Sequence, residues 1–236
     1  MRLSSRWRAR WLTSPAMDVE ELRLRIYRSF AETGVPPHHD DVASQLSATI
    51  DEIVAGIRLL AENRHLVIDS DATILMAHPF SSIPLGFSVM GTKTLWWGGC
   101  CWDSFAIPHL VTTDSKVLVA TQCPACGRPG AWVVDRTAPP ESEWLAHFLV
   151  PASRMWDDVV YTCSNQRLFC AQSCIDDWLG RNGQSRGYVM DVETLWTLAR
   201  GWYAGRLDKG YQRREPSESA AFLREVGLID KFWGTA

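Results

Sequence analysis

The sequence predicts an α+β protein, with an N-terminal winged-helix-like helical unit followed by a mixed or antiparallel sheet domain with flanking helices. Two patterns lead there. Apolar residues recur at helical spacing in three short runs before Asn63, and two-residue alternation replaces that spacing afterwards. The later strands and helices do not alternate as a parallel doubly wound sheet requires.

The first helix is expected over Val19–Ala31, where Val19, Leu22, Leu24, Ile26, Tyr27 and Phe30 repeat at near-helical spacing and Gly34, Pro36 and Pro37 stop the run. Asp40 or Asp41 is positioned to cap a second helix through Leu46, and Ser47 a third carrying Ile50, Ile53, Val54, Ile57 and Leu60. His65–Ile68 and Thr73–Met76, separated by Asp69-Ser70-Asp71, read as a two-stranded wing. Residues 17–83 therefore form the winged-helix-like unit, 84–236 the second domain, and 1–16 a flexible N-terminal extension ahead of the first helical pattern. In the second domain, 86–90 and 93–97 read as strands around Gly91, and 116–121 with 131–135 as a hairpin closed by Cys-Pro-Ala-Cys-Gly-Arg-Pro-Gly. Val159–Thr162 and Arg167–Phe169 read as extended, and 171–179 and 192–204 as helices.

Composition removes several function classes. The net charge of −3 gives no general attraction to nucleic acid, and the expected recognition segment 47–60 carries Asp51 and Glu52 against the one basic residue Arg58. Nucleic acid is accordingly not an expected partner, and the helical unit is given a structural or oligomerising role. No run of about 18 apolar residues occurs, so no membrane partner is expected. The arginines among residues 1–16 lack the apolar stretch of a secretory signal, which makes a cytoplasmic chain the simplest expectation. Seven cysteines, an odd number without an export signal, point to thiol chemistry or metal binding and away from a disulfide framework.

Two constellations carry that chemistry. In Trp97-Gly98-Gly99-Cys100-Cys101-Trp102-Asp103 a carboxylate follows a cysteine by three residues, so that a thiolate and a proton carrier can act on one atom, and Cys163 is expected at the exposed end of a later strand. The Cys-x-x-Asp segment closed by Ile107-Pro108, the hairpin cysteine Cys123, and Cys163 ahead of Asp177-Trp178 together resemble the organomercurial (alkylmercury) lyases. The resemblance spans roughly residues 86–178, and the preceding winged-helix pattern fits that family's N-terminal unit. It implies that Cys100, Asp103 and Cys163 form the catalytic set, with Cys100 and Cys163 as mercury ligands and the hairpin cysteine outside it. Cys101, the extra thiol, is a candidate auxiliary ligand.

The chemistry agrees with that implication. Thiolates are soft ligands that capture R–Hg⁺ where oxygen and nitrogen donors hold it weakly. A second thiolate pushes electron density toward the carbon, and a proton from Asp103 lets that carbon leave as R–H, with Trp96, Trp97, Trp102 and Phe105 as the expected dry wall. The product Hg(II) stays on the thiolates until external thiols or a mercury-accepting protein remove it, and no cofactor is required. Other soft-metal, carbon–sulfur or metalloid substrates suit the same groups, and a zinc-stabilised winged-helix sensor of thiophilic metals is the competing class.

The second constellation pairs Cys123-Pro-Ala-Cys126-Gly, a knuckle-type turn, with Cys170-Ala-Gln-Ser-Cys174 at a helix start. Together they suit a four-cysteine structural zinc site. Free buried cysteines or auxiliary mercury-handling thiols are the alternatives, and the resemblance, whose matching cysteine at Cys123 binds no zinc, weighs toward them. His109, near the proposed site, is read as a packing residue.

Overall fold

A computed structural model describes residues 17–111 and 113–236; the extension expected at 1–16 lies outside the described residues. Three helices come first: α1 (Val19–Thr33), α2 (His39–Leu46) and α3 (Ile50–Glu62). Asp18 starts α1 by accepting from the amides of Glu20 and Glu21, and Gly34 ends it in the left-handed region at φ 81°. A side chain at Gly34 would meet two obstacles, the positive φ and the Leu95 carbonyl oxygen 2.2 Å from its Cβ position. Ser47, expected to cap the third helix, instead closes α2 at φ 51°. Thr49 caps α3, because Glu52 three residues on completes a reciprocal capping box with it.

The strands are β1 (Val67–Ile68), β2 (Ile74–Ala77), β3 (Phe80–Ser81), β4 (Phe87–Met90), β5 (Leu95–Gly98), β6 (Lys116–Gln122) and β7 (Pro129–Asp135). They form one antiparallel sheet in the order β1-β2-β3-β5-β4-β6-β7. Strand β3 pairs with β2 on one side and β5 on the other, so the sheet runs on without a break from the hairpin that follows α3. A smaller antiparallel sheet joins β8 (Leu145–Phe148), β9 (Gln166–Phe169) and β10 (Tyr188–Asp191) in the order β10-β8-β9. The helices α4 (Cys101–Leu110), α5 (Val159–Ser164), α6 (Gln172–Asn182), α7 (Val192–Trp202) and α8 (Pro216–Glu225) complete the chain. The α+β architecture is thus the one expected from the sequence.

Two differences bear on function. Val159–Thr162, rich in β-branched residues, was expected to extend; it is the first part of helix α5. Asp158 caps that helix by accepting from the Tyr161 amide at 2.9 Å, and Thr162 bonds back to the Met155 carbonyl. These local bonds override the β propensity. Cys163 therefore sits in the last turn of a helix rather than at a strand end. The Cys101–Leu110 segment is α4, an almost wholly buried helix lying against β4 and β5 and along α7. Its lack of a polar face leaves no periodic signal by which sequence could place it.

The helical unit docks on the rest through specific bonds. The Trp96 indole N–H donates to the carbonyls of Phe30 (2.9 Å) and Ala31 (3.2 Å) near the end of α1. Arg23 on α1, itself buried, donates to the carbonyls of Arg206 (2.7 Å) and Asp208 (2.8 Å). Among the described residues no helix is long and apolar enough to cross a membrane. Trp96→Phe removes a buried donor and part of a packed ring, and is expected to lower stability by about 2–4 kcal/mol. Urea unfolding followed by fluorescence and circular dichroism checks this, and a midpoint shift without a change in slope is the expected form.

Candidate active site

The first turn of α4 is pressed against the end of β5, and two glycines allow it. A Cβ on Gly98 would lie 2.0 Å from Ser104 Oγ and 2.9 Å from Ser104 Cα. A Cβ on Gly99 would lie 2.5 Å from Asp103 Oδ2 and 2.6 Å from Met76 Cε. Cys100 is the N-cap of α4: its sulfur accepts from the Asp103 amide at 3.4 Å, and its carbonyl accepts from Ser104 Oγ at 2.6 Å. The cap thereby turns Asp103 back over the sulfur, and Cys100 S–H donates to Asp103 Oδ2 at 3.3 Å.

Helix α5 brings Cys163 to the same oxygen, with its sulfur 3.9 Å from Asp103 Oδ2. Cys163, sixty residues on from Asp103, thus converges with Cys100 and Asp103 at one point that is almost sealed from solvent, at 4%, 1% and 1% exposure respectively. Cys101 is buried beside them at the start of α4, but its sulfur is not among the atoms that meet at Asp103 Oδ2.

Three further residues complete the cluster, and sequence reasoning missed all of them. His78, in the turn between β2 and β3, places Nε2 3.5 Å from Cys163 Sγ and 3.9 Å from Asp103 Oδ2. Tyr203, just beyond α7, donates its hydroxyl to Asp103 Oδ1 at 2.5 Å. Arg206 lies over the Tyr203 ring at 4.9 Å and donates to the His78 carbonyl at 2.9 Å. Tyr203 had a legible trace: it continues the Trp196 and Ala199 face of an amphipathic helix, where a buried hydroxyl needs a partner. His78 had none, since a histidine before a proline in a short turn resembles any surface turn. The aromatic wall is only partly the one expected. Trp102 meets Tyr203, Trp202, Phe148 and Trp233, whereas Trp96 faces α1 and Phe105 packs on Trp132. His109 packs on the Trp196 ring, as expected of a packing residue.

Burial and partners split the two thiols. Burial pushes Cys100 well above the usual cysteine range, reinforced by its hydrogen bond with Cys163 and by the Asp103 carboxylate; its place at a helix N-terminus, which ordinarily lowers a thiol, is outweighed. Cys163 moves the other way, because the neighbouring Cys100 side chain, and then His78 by hydrogen bond and charge, favour its thiolate by more than burial costs. For His78, burial opposes the imidazolium, but the Asp103 carboxylate and the Cys163 sulfur hold it above its usual range. Burial, and then the Asp103 carboxylate, keep the Tyr203 phenol protonated far above the usual tyrosine range. One thiolate-prone sulfur and one protonated thiol thus face a single oxygen of one carboxylate, Asp103 Oδ2, in the buried core.

The remaining four cysteines also meet. The Sγ atoms of Cys123, Cys126, Cys170 and Cys174 lie within 4.8 Å of one another, with Cys126–Cys170 and Cys170–Cys174 each at 3.5 Å. Burial alone would raise the Cys123 thiol, yet the backbone amides of Cys170, Cys126 and Ala125, with the Cys126 thiol, bring it down to about 7.

Two thiols buried against one carboxylate are a donor set suited to a soft metal with an acid beside it. A family model described as alkylmercury lyase (MerB) matches residues 80–204, more than half of the sequence, and the chain belongs to the alkylmercury lyase family. It is a carbon–mercury lyase. A crystal structure of the mercury-bound form of MerB2 is similar in fold, with a TM-score of 0.58 at 16% sequence identity over 79% of this chain and 90% of that one. No curated protein matches the sequence.

The glycine contacts separate stability from activity. Gly98→Ala presses on helix backbone and is expected to cost roughly 2 kcal/mol or more in urea unfolding. Gly99→Ala presses only on the ends of the Asp103 and Met76 side chains. It is expected to fold while losing roughly tenfold or more in turnover of phenylmercury, because displacing Asp103, the candidate proton carrier, costs rate before it costs stability.

Proposed function

We propose that Cys163, Cys100 and Asp103 carry out the protonolysis of a carbon–mercury bond in that order of action. The approach of Asp103 Oδ2 to both sulfurs carries the reading. Cys163, the sulfur with the depressed pKa, takes R–Hg⁺ from its incoming thiol or halide ligand and forms a mercury–sulfur bond. Cys100 then passes its proton to Asp103 Oδ2 and coordinates the metal as a second thiolate. The Asp103 carboxylic acid returns that proton to the carbon; the carbon–mercury bond breaks, R–H leaves, and Hg(II) stays as a dithiolate with Asp103 again ionised. Every proton is accounted for without a change of oxidation state, so the steps call for no redox partner. Two external thiols, or the cysteines of a mercury-accepting protein, then exchange onto the metal and restore the site.

Tyr203 and His78 are positioning residues in this scheme. Tyr203 holds Oδ1, which leaves Oδ2 as the oxygen that moves the proton. His78 favours the Cys163 thiolate that begins the cycle.

Incubation with methyl- or phenylmercury and excess thiol, with hydrocarbon release followed by gas chromatography, tests the reading. Cys100→Ser, Cys163→Ser and Asp103→Asn are each expected to lower release by about 10²-fold or more while the circular dichroism spectrum is unchanged. In deuterated water the hydrocarbon should carry one deuterium. Wild-type release without the label, or full activity in Asp103→Asn, contradicts the proton path.

The pH dependence has a definite sign. The Cys163 thiolate forms below the ordinary thiol range because Cys100 and His78 stabilise it. His78→Phe should therefore move the rising limb of the kcat/KM profile to higher pH, and the ultraviolet thiolate titration with it. An unmoved limb removes His78 from this role.

A further inference from the structure

We propose that Cys123, Cys126, Cys170 and Cys174 form a closed four-thiolate site for one structural zinc ion, separate from the pocket that handles mercury. The sulfur separations suit a tetrahedral ion. With zinc–sulfur bonds of about 2.3 Å, tetrahedral ligands sit roughly 3.8 Å apart. The sulfurs already lie within 4.8 Å of one another, two of the pairs at 3.5 Å. No disulfide joins any of them, although the separations bring several thiols into mutual contact.

The backbone on both sides is shaped for a metal. Cys123 and Cys126 flank the turn of the β6–β7 hairpin, where the Gly127 amide donates to the Cys123 carbonyl at 2.9 Å and Gly127 takes φ 73°. The Cys123 amide closes the turn on the Arg128 carbonyl at 2.9 Å. This is the knuckle geometry that aims two sulfurs outward from one turn. Cys170 follows the end of β9, and Cys174 lies in the first turn of α6, whose N-cap Ala171 has no side-chain cap. A helix start without its own cap leaves amide donors that stabilise thiolates. Arg181 of α6 also reaches the Ala125 carbonyl inside the knuckle at 2.7 Å, a direct bond between the two halves.

The donor set selects zinc. Four sulfurs at tetrahedral spacing, without a carboxylate or imidazole among them, suit a soft-to-borderline ion of fixed charge and leave no coordination position for substrate. The ion would tie the β6–β7 hairpin to β9 and α6. Strand β9 begins two residues after α5, so the clamp supports the helix that presents Cys163. The mercury pocket differs on each count: it has two sulfurs and a carboxylate, and it is buried.

Metal analysis of the full chain, expressed in medium containing zinc but no mercury and purified without chelators, tests this. About one equivalent of zinc per chain is expected, retained in Cys100→Ser and Cys163→Ser and lost in Cys126→Ser and Cys174→Ser. The last two variants are expected to melt roughly 5–10 °C lower. Should they fail to fold, cobalt exchanged into the wild-type chain gives the decision. The intense thiolate-to-cobalt and visible bands of a tetrahedral four-sulfur site support the proposal. Zinc below about one tenth of an equivalent together with four freely titrating thiols at these positions overturns it, as does zinc that disappears in Cys100→Ser.

Discussion

Asp103 is a carboxylate inside an apolar core, and the rest of the molecule is arranged around making that tolerable. An ion taken from water into a protein interior loses several kcal/mol of solvation unless bonds replace it. Here the replacements are few and directional. Tyr203 donates to one oxygen, Cys100 donates to the other, and His78 adds a partial counter-charge within 3.9 Å. The nearest opposite charge, His78, stands at 3.9 Å rather than in close contact. The carboxylate is thus held in place with Oδ2 turned toward both sulfurs.

The supports of Asp103 come from every part of the chain. Gly98 and Gly99 let the first turn of α4 approach β5. Helix α7 packs along α4 and delivers Tyr203 from a hundred residues away in sequence. Arg206 then fixes the following loop by stacking on Tyr203 and bonding to the carbonyl of His78. Arg23 of α1 anchors the same loop from the other side through the carbonyls of Arg206 and Asp208. The helical unit at the N-terminus therefore has a physical task in the site: it buttresses the loop behind the acid. Its packing face is turned inward, with Leu22, Ile26, Tyr27 and Phe30 buried.

Most of this architecture is legible in the sequence where a residue's environment is local. The helices α1 to α3, the β4–β5 and β6–β7 pairs and the amphipathic α7 each announce themselves by periodicity or turn chemistry. Cys100, Asp103 and Cys163 stood out because a cysteine three residues before an aspartate is a compact chemical unit. What sequence did not yield were features set by tertiary context. Helix α4 is buried on all sides and has no amphipathic period. In α5, Asp158 overrules a β-branched run. His78 and Arg206 act through carbonyls and sulfurs brought close only by folding. No local pattern encodes such a meeting.

The two cysteine clusters show how environment divides one residue type between two tasks. In the buried pocket the thiols are unequal: Cys100 is kept protonated by burial while Cys163 is drawn toward the thiolate. In the proposed reaction that inequality has a chemical use, because a site in which both sulfurs were already ionised would have no thiol proton to hand to Asp103, and one in which neither was ionised would capture the metal poorly. At the hairpin, four sulfurs lie within 4.8 Å of one another, with no acid among them. Equal donors around one centre complete a coordination sphere and leave nowhere for a reacting carbon. An incomplete sphere with a neighbouring acid does the reverse: it leaves the metal a position for an organic group and gives the departing carbon its proton. On these two proposals, the difference between a metal that holds the fold and one that is worked upon lies in what fills the coordination sphere: four cysteines at the hairpin, and two cysteines with the substrate's own carbon, beside Asp103, in the buried site.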